Sequence, residues 1–88
     1  MLYMVVEEFI EGPKPIYQRL AEKGRMMPDS LHYVSSYITE DLKTCYQIME
    51  TEQFEDFAEW QKNWSDIMRC QIFPVLTSAE ARLAAEKL

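Results

Sequence analysis

Glycine is nearly absent: Gly12 and Gly24 are the only two in 88 residues. A glycine-rich phosphate-binding loop cannot be built from them, which excludes nucleotide binding through such a loop. One histidine, His32, and two separated cysteines, Cys45 and Cys70, fall short of the ligand set of an ordinary metal site. No apolar run is long enough to span a bilayer, and the opening MLYMVV lacks the basic flank of a signal peptide. No membrane partner is therefore expected, and the cytoplasm is the expected compartment. Basic charge is scarce too: nine Lys and Arg, scattered singly, stand against fifteen Asp and Glu, a net of −6. That is no footprint for nucleic acid, which needs clustered cations to neutralise phosphates. Nothing indicates a cofactor.

What is present is a 48% hydrophobic chain with the length of one domain, residues 1–88. A chain this short buries only about 60–65% of the surface its unfolded form exposes, so its own core is marginal and further burial is welcome. Cys45 and Cys70 lie in apolar, strand-like segments and read as reduced, buried thiols. A disulfide between them requires their strands to adjoin.

Residues Leu2 to Phe9 form the first expected strand. EGPKP ends it and starts a helix, because Pro13 and Pro15 suit a first turn where a missing N–H costs nothing. Ile16, Tyr17, Leu20 and Ala21 then recur at helical spacing, closing at Gly24 or, after a frayed turn, at Pro28. Leu31–Thr39 and Lys43–Thr51 make a hairpin across the short link EDLK. Facing Thr39 with Thr44 places Tyr37 opposite Tyr46, Ser35 opposite Ile48 and Tyr33 opposite Glu50. The other face then collects His32, Val34, Ser36, Ile38, Cys45, Gln47 and Met49; one residue of slip exchanges the sets. A helix is expected over EQFEDFAEWQKNWSDI, with Phe54, Phe57, Trp60, Trp64 and Ile67 as its packing stripe. Met68–Leu76 is the last strand, marked as an edge or bulged strand by Pro74. Thr77 and Glu80 form a capping box that opens a terminal helix, SAEARLAAEKL.

This order gives an α+β fold. It is the ferredoxin-like βαββαβ arrangement: a four-stranded antiparallel sheet with two helices on one face, plus a C-terminal helix. Two helices cover one side only, yet each strand supplies apolar residues to both sides. A bare second face would exceed the apolar patch that soluble monomers usually tolerate. A second copy of the chain is the most economical cover, so a homodimer paired through its sheets is expected.

The ordered blocks LYMVVEEF, EKGRMMP, LHYVSSYI, CYQIMET, EWQKNW and PVLTSAEA resemble a family of small, largely bacterial proteins described as a domain of unknown function. The resemblance runs over nearly the whole chain. It implies a dimeric α/β barrel, an architecture shared with antibiotic-biosynthesis monooxygenase-like and muconolactone-isomerase-like proteins, and it implies no known reaction. One departure is the EQF after Thr51, where an Asp-Pro helix start is expected.

Barrels of this kind often hold a cavity, so inward polar residues are the place to look for chemistry. His32, Ser36 and Gln47 share a face in this register and form the best convergent group. Tyr33, Tyr37, Tyr46 and Glu50 form a bulkier set, suited to the helix-covered core, where burial would raise the Glu50 pKa and make it a general base. The candidates are thus His32 and Glu50 for catalysis and Ser36, Gln47, Tyr33 and Tyr46 for ligand contacts. Glu7, Glu8 and Glu11 read as a solvated rim, and RMMP as a lip over a pocket or a pair of gap-fillers. The expected function is that of a homodimeric α/β-barrel protein of uncharacterised activity that binds a small apolar or aromatic molecule. The alternatives are a cofactor-independent monooxygenase- or isomerase-like enzyme, resting on fold analogy, and a structural or interaction protein whose barrel is filled by side chains.

Overall fold

A computed structural model describes all residues, Met1–Leu88. Its elements run β1 (Leu2–Phe9), α1 (Pro13–Lys23), β2 (His32–Ile38), β3 (Thr44–Glu50), α2 (Asp56–Gln61), β4 (Met68–Val75) and α3 (Ser78–Ala85). The four strands form one antiparallel sheet in the order β2-β3-β1-β4, the ferredoxin-like order. Strands β1 and β3 occupy the centre. Pro74 lies on β4, an edge strand, where a missing N–H costs no ladder bond.

Local chemistry fixes the ends of the elements. Pro13 opens α1, and Gly24 closes it at φ 69°, its N–H bonding the Leu20 carbonyl at 2.8 Å. Positive φ is inexpensive for glycine and strained for other residues. The β2–β3 link turns through Leu42, which holds φ 62°, while the Asp41 carboxylate accepts from Thr39 Oγ1 and from the Lys43 N–H. Thr77 and Glu80 cap α3 reciprocally, as the sequence anticipates.

Alternation decides which face of the sheet is covered. In β1, Tyr3, Val5, Glu7 and Phe9 point toward the helices, and Val5, Glu7 and Phe9 are buried. In β3 it is Cys45, Gln47 and Met49 that are buried, while Tyr46 and Glu50 are exposed. The bulkier tyrosine-bearing face is therefore not the helix-covered core. Small and slender side chains lie beneath the helices because α2 brings its own bulk, Phe57, Trp60 and then Trp64, into the space above them.

Two further expectations are corrected. The second helix is short: regular α-structure covers only Asp56–Gln61, with turns on either side. Phe54 is 53% exposed instead of belonging to the buried stripe, although its ring meets Tyr3 and Phe57 at 5.5 Å. In the hairpin, Tyr37 opposes Tyr46 and Ser35 opposes Ile48 as expected, but a bulge then intervenes at Val34. Beyond it Tyr33 opposes Met49 and His32 opposes Glu50. An extra residue exchanges the faces of everything past it, so Tyr33 turns to the helix side and His32 to the open side.

The open side carries Leu2, Met4, Val6, Tyr37, Tyr46, Ile48, Phe73 and Val75, with Tyr37 71% exposed. Nothing in the chain covers it. No residue of α3 is buried either, so the terminal helix gains no core contact from its own chain.

Candidate functional site

Between the sheet and the helices lies a cavity of about 100 Å³, with nine hydrophobic residues among the thirteen that line it. Its floor is two rows of the sheet. One row runs Ile38–Cys45–Glu7–Cys70 across β2, β3, β1 and β4, and the next runs Ser36–Gln47–Val5–Ile72; of these, Ile38, Cys45, Glu7, Ser36 and Gln47 line the cavity. Phe9 and Met68 close one end, Ile16, Tyr17 and Leu20 of α1 form one wall, and Trp60 and Trp64 form the other.

Glu7 is the unexpected member. It is only 4% exposed and takes part in none of the ion pairs, which join Met1 to Glu52, Arg19 to Asp66 and Arg69 to Glu8. Burial pushes its pKa from 4.5 up to about 7, opposed by the Cys45 thiol within hydrogen-bonding reach and by the charge of Arg25. Removing a carboxylate from water penalises its charged form, and the two opposing influences are too weak to restore it. The same burial, with Glu7 alongside, pushes the Cys45 thiol up to about 12. The phenol of Tyr17 is also raised, first by burial and then by Cys45 and Glu7. Reading Glu7 with Glu8 and Glu11 as a wet rim is thus wrong. Its parity with Val5 and Phe9 is the signal that points inward, whereas Glu8 pairs with Arg69 in solvent.

Arg25 forms the rim. The segment after α1 is held by two consecutive main-chain carbonyls: Arg25 O accepts from Trp64 Nε1 and Met26 O from Asn63 Nδ2, both at 3.1 Å. Met26 takes φ 56° in this segment, and Met26 and Met27 pack against the core. The guanidinium of Arg25 then lies 3.7 Å over the Tyr33 ring, a stacked cation–π contact. Tyr33 in turn shares a 2.7 Å hydrogen bond with Ser36. Within RMMP, Arg25 alone lines the cavity, while Met26 and Met27 are the gap-fillers, and the hydrogen bonds to Trp64 and Asn63 hold the segment in place.

Other polar groups of the site differ in how well they are satisfied. Gln47 is buried and donates from Nε2 to Met49 Sδ at 3.2 Å. Trp60 is 3% exposed, and its Nε1 is the one buried side-chain nitrogen or oxygen without a partner.

Of the sequence candidates, Ser36 and Gln47 line the cavity and Tyr33 stacks on its rim. His32 does not join them: the Val34 bulge sends it to the open side. There it lies with Glu50, Ser30, Thr51, Glu52 and Gln53 around a depression at the end of the sheet. Glu50 is exposed, not buried, which removes the physical basis for a general base there. Tyr46 is 44% exposed on the open face, away from the cavity. Near that depression Asp56 is buried and accepts from Ser30 Oγ and Thr51 Oγ1, tying the start of α2 to the strand ends. No cluster of three or more metal-ligating side chains exists, and no helix is long and apolar enough to cross a membrane.

No match to the chain was found among curated proteins or among solved structures. A family model described as a domain of unknown function (DUF3303) matches residues 1–88, the whole chain, and the chain belongs to that family.

Proposed function

We propose that the chain acts as a homodimer of the dimeric α/β-barrel kind, each protomer binding a small, mostly apolar ring compound in the cavity beneath its helices. The observation that carries the ligand reading is the cavity itself. It is apolar over most of its wall, yet it keeps one buried carboxyl group, and one of its lining indoles has an unanswered N–H. Pockets that bind small molecules combine these features: an apolar body for affinity and a few placed polar groups for orientation. At about 100 Å³ the space is smaller than the roughly 150 Å³ of a cavity that accepts benzene, which sets a small ring as the upper limit. A barrel plugged by its own side chains would leave no such space, which weighs against the purely structural reading.

The dimer reading is supported by the bare apolar side of the sheet and by α3, which buries nothing on its own chain. A second copy would cover the open face, and a two-fold pairing uses one patch for both partners. A reducing compartment such as the cytoplasm suits the two free thiols, because β1 separates the strands of Cys45 and Cys70 and no bridge can span it.

Sedimentation at micromolar concentration tests the pairing: the expected mass is twice that of the chain, and a stable single chain would overturn it. Thermal melting with benzene, phenol and cyclohexanone tests the ligand reading. At least one is expected to raise the midpoint, and failure of all three would sink it.

A further inference from the structure

Glu7 sits in the middle strand of a row whose neighbours on both sides are thiols, Cys45 on β3 and Cys70 on β4. No cation pairs with it directly. Arg25 lies near enough for its charge to act on Glu7, but its guanidinium is engaged with the face of Tyr33 at the cavity rim. Trp60 lines the same space with a buried N–H that no protein atom accepts. A binding pocket for an inert hydrocarbon needs none of these groups. A buried carboxyl without a cation beside it is costly, and so is an unsatisfied buried N–H.

We propose that Glu7 is a catalytic acid–base residue that moves a proton on a small, enolisable ring ketone held in the cavity. In this reading the partnerless Trp60 Nε1 donates to the ketone oxygen, and the charge of Arg25 at the rim favours the negative charge that develops there. This rests on the ligand reading above and adds chemistry to it. The Glu7 carboxylate removes a proton from the carbon next to the carbonyl. The C–H electron pair becomes a C=C bond, and the carbonyl π pair moves onto oxygen, giving an enolate. Return of the proton from Glu7 to that carbon, or to the far end of a conjugated ring, restores the carboxylate and leaves the ketone or its isomer. Nothing is oxidised or reduced, and no co-reactant is consumed. Donors placed where the oxyanion forms stabilise such a step in a water-poor site.

A base whose pKa lies near the working pH is best matched to this task, and Glu7 titrates at about 7. The other titratable groups that face it are Cys45 from β3, Cys70 from β4, Tyr17 from α1 and Arg25 from the segment after α1. Both thiols are pushed up to about 12 and Tyr17 is raised as well. Near neutrality, Glu7 is therefore the group that changes charge.

The test follows deuterium exchange next to the carbonyl of cyclohexanone and cyclopentanone in heavy water by NMR, alongside thermal melting with the same ketones. The intact wild-type protein is expected to accelerate exchange about 100-fold or more over buffer, with the rate rising through an inflection near pH 7. Glu7→Gln is expected to lose that acceleration while keeping the thermal stabilisation by ketone. Trp60→Phe is expected to exchange more slowly than wild type while keeping part of the acceleration, with the inflection unmoved. Ketone binding without acceleration, or equal rates in wild type and Glu7→Gln, overturns the proton-transfer role and leaves binding intact. Absence of both stabilisation and exchange overturns the two proposals together. Because the wild-type pH profile needs no variant, the proposal stays testable even if Glu7→Gln misfolds.

Discussion

Trp60 and Trp64 stand one helical turn apart on the same buried stripe, and only one of them has an acceptor: Trp64 Nε1 donates to the Arg25 carbonyl at 3.1 Å, whereas Trp60 Nε1 donates to nothing. Identical residues in equivalent environments thus carry opposite polar accounts. Replacing Trp64 by Phe strands a carbonyl that fixes the cavity lip; replacing Trp60 by Phe removes an N–H that was already stranded. Trp64→Phe is expected to cost more stability than Trp60→Phe by about 1–3 kcal/mol. Urea unfolding of the two variants checks this, and equal losses would mean that the lip bond contributes little.

Glu7 gives stability a pH dependence whose sign follows from its two titrations, near 4.5 in the unfolded chain and about 7 in the fold. Below pH 4.5 the group is protonated in both states and its charge imposes no penalty. As pH rises, the unfolded chain releases its proton first, so stability falls, and above pH 7 the full loss of about 3 kcal/mol is in place. Glu7→Gln has no such titration. Its stability is expected to stay flat over this window and to exceed that of the wild type at pH 8; a wild-type curve that rises there would contradict the burial of the carboxyl.

Both thiols are expected to be slow toward a water-soluble disulfide reagent at pH 8. The thiolate is the reactive form, and burial together with Glu7 pushes Cys45 and Cys70 up to about 12. In denaturant both should react promptly. A fast-reacting thiol in the native protein would show that one of the two environments is more open than the structure describes.

Ile48 lies on the bare side of the sheet, on the central strand β3. Ile48→Asp is expected to shift the protein toward monomer in sedimentation, because a carboxylate facing its own copy across a two-fold interface would be both desolvated and repelled. Its far-ultraviolet dichroism should keep the wild-type shape. An unchanged dimer would place the interface elsewhere.

Much of the fold was legible in short signals with a single physical meaning. Pro13 suits the first turn of a helix, Pro74 marks an edge or bulged strand, and Thr77 with Glu80 satisfy each other at a helix start. The site was less legible. Glu7 was concealed by its company, since Glu8 and Glu11 are exposed and a run of acids suggests water, while strict alternation with Val5 and Phe9 pointed inward. Side-chain bulk misled about Tyr46 and Glu50, because the volume above the sheet is filled from α2. Nothing in the stretch HYVSS marks a bulge, so His32 was assigned a place that Tyr33 holds. Trp60 packs in the core as its helical spacing predicts, but its missing acceptor depends on three-dimensional neighbours and leaves no trace in the spacing.

The irregularity at Val34 has a consequence for how this cavity can diverge among relatives. Its lip is chosen by arithmetic as much as by chemistry: were β2 to pair without the bulge, Val34 would face Met49 and the phenol that seats Arg25 would swing to the far side. Flattening the bulge would therefore exchange an aromatic cation seat for an aliphatic side chain without altering any residue that lines the floor.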